Sequence, residues 1–184
     1  MRLYLIGSLR NPEVPLLAER LRGSGHEVFD DWFAAGPEAD DMWQRYEQAR
    51  GRSYSQALAG YAAGHVFEFD KHHLDLADGG ILLLPAGKSG HLELGYMIGQ
   101  GKPCFILCPV EPERFDVMYK FATGVFSDEK NLMEALDELR KSDGPNGRPR
   151  APLVAPEGNR AEWPTIVSFH GCTADGRTYQ NPPP

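Results

Sequence analysis

The sequence predicts an α/β domain built on a doubly wound parallel sheet with helices on both faces. Three observations point there. Short apolar runs recur between Leu3 and Phe126, separated by stretches with helical spacing. The most hydrophobic run, Gly80–Leu84, is unbroken, as a central strand covered on both faces requires. Strands that alternate with helices pair in parallel, and right-handed crossovers then wind the helices onto both faces.

Taken in order, Leu3–Ile6 is a buried strand that ends at the turn Gly7-Ser8. Asn11 and Pro12 suit the cap and first position of a helix that groups Val14, Leu17, Ala18 and Leu21 on one face. Glu27–Phe29 is a second strand, and Asp30–Ala39 a loop carrying Trp32 and Phe33. Helical spacing follows from Asp40 to about Ala63, and a further helix over Phe67–Ala77 after a break near Gly64. Beyond the Gly80–Leu84 strand, a loop over Pro85–Gly90 leads into a helix from His91 to Gln100. Pro103–Cys108 is a fourth strand, Glu113–Phe121 is helical, Gly124–Phe126 is an edge strand and Glu129–Lys141 an amphipathic helix. The domain therefore spans residues 1–141. Residues 142–184, rich in Pro and Gly, form a tail that is partly ordered at most; its apolar residues Trp163, Ile166, Val167, Phe169 and Tyr179 could dock as an extended strand or cover a partner subunit.

Composition narrows the function. With 41% hydrophobic and 24% charged residues the chain is globular. A formal net charge of −7 repels a polyphosphate backbone, which argues against a nucleic-acid polymer as partner and leaves small ligands. No apolar run reaches the roughly 20 residues that a membrane helix needs, and the opening apolar run is too short for a signal peptide. Cys104, Cys108 and Cys172 form neither a CxxC pair nor a zinc spacing. The expectation is a cytoplasmic protein without structural metal or cofactor.

Ligands of doubly wound sheets bind at the carboxyl ends of the strands, where the strand order reverses. Gly7-Ser8-Leu9-Arg10, Pro85–Glu93 and Asp70–Asp78 should converge there. Ser8 and Arg10, before a helix, offer amides, a hydroxyl and a guanidinium to an anion. Gly87, Ser89 and Gly90 resemble a phosphate cradle, although the GxxxxGK[ST] spacing is absent. Glu93 sits one turn into its helix, where the dipole favours its anion. An ionised carboxylate facing a pocket can attack an anomeric carbon; the plainer alternative is a charge at a helix start. Asp70 could bind sugar hydroxyls or handle a proton, or be a surface acid. Adjacent residues of a helix diverge, so His72 and His73 do not share a metal ion.

These residues together resemble the nucleoside 2-deoxyribosyltransferase superfamily, which includes the 2′-deoxynucleoside 5′-phosphate N-hydrolases. The segment Gly90–Lys102, GHLELGYMIGQGK, carries the strongest match. The resemblance implies a flavodoxin-like fold of five strands and cleavage at an N-glycosidic bond of a nucleoside or nucleotide, with Glu93 as nucleophile. It implies a catalytic role for Asp70, a structural one for Asp78, and a hydrogen bond from Tyr4 to the nucleophile. LYLIGSLR is similar to the phosphate-binding turn of the N-hydrolases, which implies 5′-phosphate binding by Ser8 and Arg10. Asp116 and Met118 align with a segment that a neighbouring subunit donates, which implies a homodimer or larger homo-oligomer. No cofactor is implied. Gly87 stands where the transferases have an Asp, and Asp116 where they have Asn and the N-hydrolases Ser. Hydrolysis and transfer both stay open, as do 5′-phosphate and free 5′-hydroxyl. The same fold could also hold a nucleotide without turnover, as a sensing module.

Overall fold

The computed structural model describes residues 1–113 and 115–142; the tail reading lies beyond Ser142, outside the described residues. Five strands form one sheet: β1 (Arg2–Ile6), β2 (Glu27–Phe29), β3 (Gly79–Leu83), β4 (Cys104–Leu107) and β5 (Gly124–Phe126). All pairs are parallel, and the order is β2-β1-β3-β4-β5. This is the flavodoxin-like doubly wound order, which reverses direction between β1 and β3. Leu3, Leu5, Ile6, Ile81, Leu82 and Ile106 are fully buried. Strands covered on both faces leave no polar alternation, which is why these segments read as unbroken apolar runs.

The helices are α1 (Glu13–Gly23), α2 (Ala39–Ala49), α3 (Tyr54–Leu58), α4 (Tyr61–Leu76), α5 (Lys88–Gly99) and α6 (Glu129–Ser142), with short 3-10 turns at Asp31–Ala35 and Val117–Phe121. Side chains of β1, β3 and β4 that point one way pack with Leu17 and Leu21 of α1 and Leu132 and Leu136 of α6. Those that point the other way, Tyr4, Ile6, Leu82 and Ile106, pack with Leu74 of α4 and Leu94 and Met97 of α5. Each fully buried Leu or Ile contributes about 1.5–3 kcal/mol. Among the described residues no helix is long and apolar enough to cross a membrane.

Several boundaries differ from the sequence expectation. Pro12, not Asn11, occupies the position before α1, yet the Asn11 side-chain oxygen still accepts from Glu13 N–H at 3.1 Å. The helical stretch after Asp40 breaks at Gly51 and Gly60 rather than Gly64. Gly51 adopts φ +69°, a left-handed conformation that ends α2 at little cost only for Gly. Ser53 and Gln56 then start α3 with a reciprocal capping box. α5 begins at Lys88, three residues before the expected His91. Of Glu113–Phe121, only the short 3-10 turn is helical.

Candidate active site

Tyr4 lies in the middle of β1, where its neighbours across the sheet are Phe29 and Gly80. Its side chain points to the α4–α5 face and is 1% exposed. Asp70 comes from α4 and Glu93 from α5, both half-buried. The fold brings the three together: the Tyr4 hydroxyl donates to the Asp70 carboxylate, and both carboxylates lie close enough to act on it through their charge. The expected hydrogen bond from Tyr4 to the nucleophile is therefore redirected to Asp70. Next to Tyr4 stands an aromatic wall. Phe29 lies 5.1 Å from the Tyr4 ring and stacks flat on His73 at 3.7 Å, and Phe69 meets His73 edge-on.

Burial decides the electrostatics. It pushes the Glu93 carboxyl up to about 7, with the Asp70 charge adding to the effect. It pushes Asp70 up to about 6, against the hydrogen bond from Tyr4, which favours the ionised form. Tyr4 itself is raised out of the physiological range by burial and by both acids. The expectation that the helix dipole holds Glu93 as a ready anion is overturned. Glu93 is the sixth residue of α5, Lys88–Gly99, beyond the first turn where the dipole acts, and desolvation outweighs it.

The spacing of α4 and α5 is fixed below these acids. Asp75 of α4 accepts from Tyr96 Oη and Gln100 Nε2 of α5, each at 2.7 Å. Lys102 Nζ donates to the carbonyls of Leu74 at 2.6 Å and Asp75 at 2.8 Å. The hydrogen bond from Lys71, helped by those from Tyr96 and Gln100, holds the Asp75 carboxyl well below the usual carboxylate range. Asp78 stays at the opposite, amino end of the strands. There its carboxylate accepts from Arg2 N–H at 2.7 Å, a structural bond.

At the carboxyl ends of β1 and β3, where the strand order reverses, a cleft of about 280 Å³ is lined by Ser8, Arg10, Asn11, Pro12, Pro85 and Ala86. Four amides between Arg10 and Val14 are occupied within the turn that leads into α1. Arg10 N–H donates to Ser8 Oγ at 3.2 Å, and Asn11 N–H to the Ser8 carbonyl at 2.9 Å. Glu13 N–H donates to Asn11 Oδ1 at 3.1 Å, and Val14 N–H to the Asn11 carbonyl at 3.2 Å. Those four amides are thus not free for an anion. The Arg10 guanidinium, in turn, is held by Asp41 of α2 at 2.9 Å.

Gly7 has no room for a side chain: an added Cβ would stand 2.6 Å from Val14 Cγ2. Gly87 and Ser89 are exposed, and Gly90 is buried. A Cβ at Gly90 would stand 3.0 Å from Ile6 and 3.2 Å from Leu82, so its absence lets the start of α5 lie on β1 and β3. Gly90→Val is expected to cost about 1–3 kcal/mol by overpacking, read from urea denaturation; an unchanged midpoint would contradict this packing role. One position after Gly90 and two before Glu93, His91 Nδ1 donates to the Gly87 carbonyl at 2.8 Å. Its Nε2 accepts from Tyr119 Oη at 2.9 Å, which ties the loop after β4 to the start of α5. Asp116 and Met118 in that loop are exposed, and the Asp116 carboxylate caps Met118 N–H at 2.9 Å. Among the described residues no three His, Cys, Asp or Glu side chains converge as metal ligands.

Two contributors escaped the sequence reading, the aromatic wall of Phe29 and His73 and the Arg10–Asp41 pair. Neither carries a local signal, because each joins segments far apart in the chain.

No protein-family model matches the chain, and no curated protein matches it significantly. Among solved structures it is similar to a 2-deoxyribosyltransferase from the psychrotolerant bacterium Bacillus psychrosaccharolyticus. That match is at 21% identity, covers 72% of this chain and 90% of the other, and has a TM-score of 0.49. It is also similar to the CMP N-glycosidase of Clostridium botulinum, at 15% identity, over 74% of this chain and 99% of the other, with a TM-score of 0.43.

Proposed function

We propose that the protein cleaves the N-glycosidic bond of a nucleoside or nucleoside 5′-monophosphate through a covalent glycosyl ester on Glu93, and that it belongs with the nucleoside 2-deoxyribosyltransferase-like enzymes. The observation that carries this is the meeting of Tyr4, Asp70 and Glu93, from three separate elements, with both acids raised toward neutrality. Two carboxyl groups with displaced protonation that meet on one face of the sheet mark a candidate catalytic site, and a pair of carboxyl groups is what glycosyl transfer uses. A merely structural pair would be expected to be neutralised by a cation.

In this mechanism the ionised Glu93 attacks the anomeric carbon. The C–N bond breaks, the base nitrogen keeps the bonding pair, and solvent water supplies the proton that joins it. Asp70, ionised above about pH 6 and held by the Tyr4 hydroxyl, accepts a hydrogen bond from a sugar hydroxyl and fixes the ring over Glu93. Tyr4 stays neutral and orients Asp70. Ser8, Arg10 and the Gly87–Gly90 segment surround the 5′ end. Water, or a second base, attacks the ester and returns the free carboxylate. The substrate-contacting loop at Asp116 and Met118 would be supplied by a second copy in a homo-oligomer.

The test is a panel of nucleosides and their monophosphates incubated with the protein, with and without a free acceptor base, and resolved by chromatography. Base release is expected from at least one substrate; exchange into the acceptor separates transfer from hydrolysis. Ligand-dependent thermal stabilisation with no base release from any substrate would instead identify a binding module.

A further inference from the structure

We propose that Asp41 is a specificity-determining residue of the 5′ subsite: by holding Arg10 it biases that subsite toward a neutral 5′-hydroxyl over a 5′-phosphate. This rests on the proposed glycosidic function and names the substrate class at its 5′ end.

Two independent observations support it. The first is the closed turn. An anion at a helix start is normally bound by free backbone N–H groups. Here the amides of Arg10, Asn11, Glu13 and Val14 are each satisfied within the turn, and position 12 is a proline, which has none. On the α1 side of the cleft a phosphate would therefore rest on the Arg10 side chain rather than on these amides. The second is the charge on that side chain. Arg10 Nη2 lies 2.9 Å from Asp41 Oδ2, with the two side chains 61% and 54% exposed. The guanidinium is compensated by a carboxylate from α2, and that carboxylate stays beside any group that replaces it. A phosphate dianion must either displace Asp41 or take the remaining guanidinium donors, and in both cases it sits next to the Asp41 charge. A 5′-hydroxyl does neither, and finds acceptor oxygens in the Ser8 and Asn11 side chains of the same cleft. The ion pair is solvent-exposed, so its hold is modest, and the bias it creates is about three- to tenfold rather than absolute.

The experiment compares wild type, Asp41→Asn, Arg10→Gln and the double variant. Asn keeps the shape of Asp41 on an exposed helix, so folding is preserved. Binding of ribose 5-phosphate and of ribose is measured by NMR titration, which needs no turnover. In parallel, kcat/KM is measured for a nucleoside and its 5′-monophosphate. Asp41→Asn is expected to raise the phosphate-to-neutral preference about three- to tenfold in both readouts, and Arg10→Gln in the same chain to remove the gain. An unchanged or lowered preference in Asp41→Asn overturns the proposal, since Asp41 would then be inert or would present Arg10 to the phosphate. Failure of every variant to bind either sugar overturns it as well. Absence of turnover with an intact sugar-binding shift sinks the glycosidic function alone, and the role of Asp41 stands.

Discussion

Glu93→Gln is expected to abolish base release, by on the order of a thousandfold or more, and to make the folded protein more stable at pH 8. The first half follows from losing the nucleophile: an amide cannot form the glycosyl ester. The second follows from linkage. In the unfolded chain the Glu93 carboxyl titrates near its ordinary value of 4.5; in the fold it is pushed up to about 7 by burial and by Asp70. Below pH 4.5 both states hold the proton, and the carboxyl costs nothing. As pH rises from 4.5 through 7, the unfolded chain gives up its proton while the folded protein keeps it, so stability falls across that window. Above pH 7 the fold carries the buried anion and the full cost. Gln has no such titration. The gain of Glu93→Gln over wild type is therefore near zero at pH 4.5 and on the order of 2 kcal/mol at pH 8, the solvent that reaches the half-buried carboxyl screening the rest. Denaturation at the two pH values reads it. A variant less stable than wild type at pH 8 would show that Glu93 makes stabilising contacts instead of being held under electrostatic stress. Such stress is a usual signature of a site whose geometry serves chemistry.

How far the sequence carried this picture depends on whether each signal was local. The central strands were legible because burial on both faces leaves only apolar residues in Leu3–Ile6 and Ile81–Leu83. The start of α5 was not, since Gly87, Ser89 and Gly90 look like loop residues. Gly90 is instead a helical residue kept small by Ile6 and Leu82 beneath it, a tertiary constraint with no trace in the spacing. Glu93 shows the same limit in its chemistry. Its position near a helix start suggested an easy anion, whereas its actual environment is set by Asp70 on another helix. Tyr4, Asp70 and Glu93 came forward as a group only through the resemblance; no periodicity links three residues on β1, α4 and α5. The partner of Arg10, Asp41, was out of reach for the same reason. Asp41 lies on α2, between β2 and β3, and the pairing exists only because the fold brings that residue to Arg10 in the turn after β1.

The sharpest discrimination among roles for Asp70 comes from the pH dependence of Asp70→Asn. The wild-type kcat/KM is expected to rise with pH through about 7, as the free enzyme's Glu93 ionises. Asp70 loses its proton first, near 6, so over most of that rise it is already a neighbouring anion that resists a second charge. Asn removes the charge while keeping an oxygen that can accept the Tyr4 hydroxyl. With the repulsion gone, Glu93 ionises more readily, and the acidic limb moves to lower pH. The plateau nevertheless falls, by about a hundredfold, because a neutral amide holds a sugar hydroxyl less firmly than a carboxylate and no longer raises the basicity of the nucleophile. These two effects run in opposite directions at low pH, so their combination is diagnostic. A simple loss of folding lowers activity at every pH and leaves the limb in place. If Asp70 were the obligate proton donor to the leaving base, the wild-type rate would fall as pH rises above 6 and Asp70→Asn would abolish that fall. If the pair did not interact, the limb would stay near 7 in the variant. Only coupling of the two carboxyl groups, the arrangement in which α4 and α5 are clamped by Asp75 and Lys102, lowers the plateau and shifts the limb together.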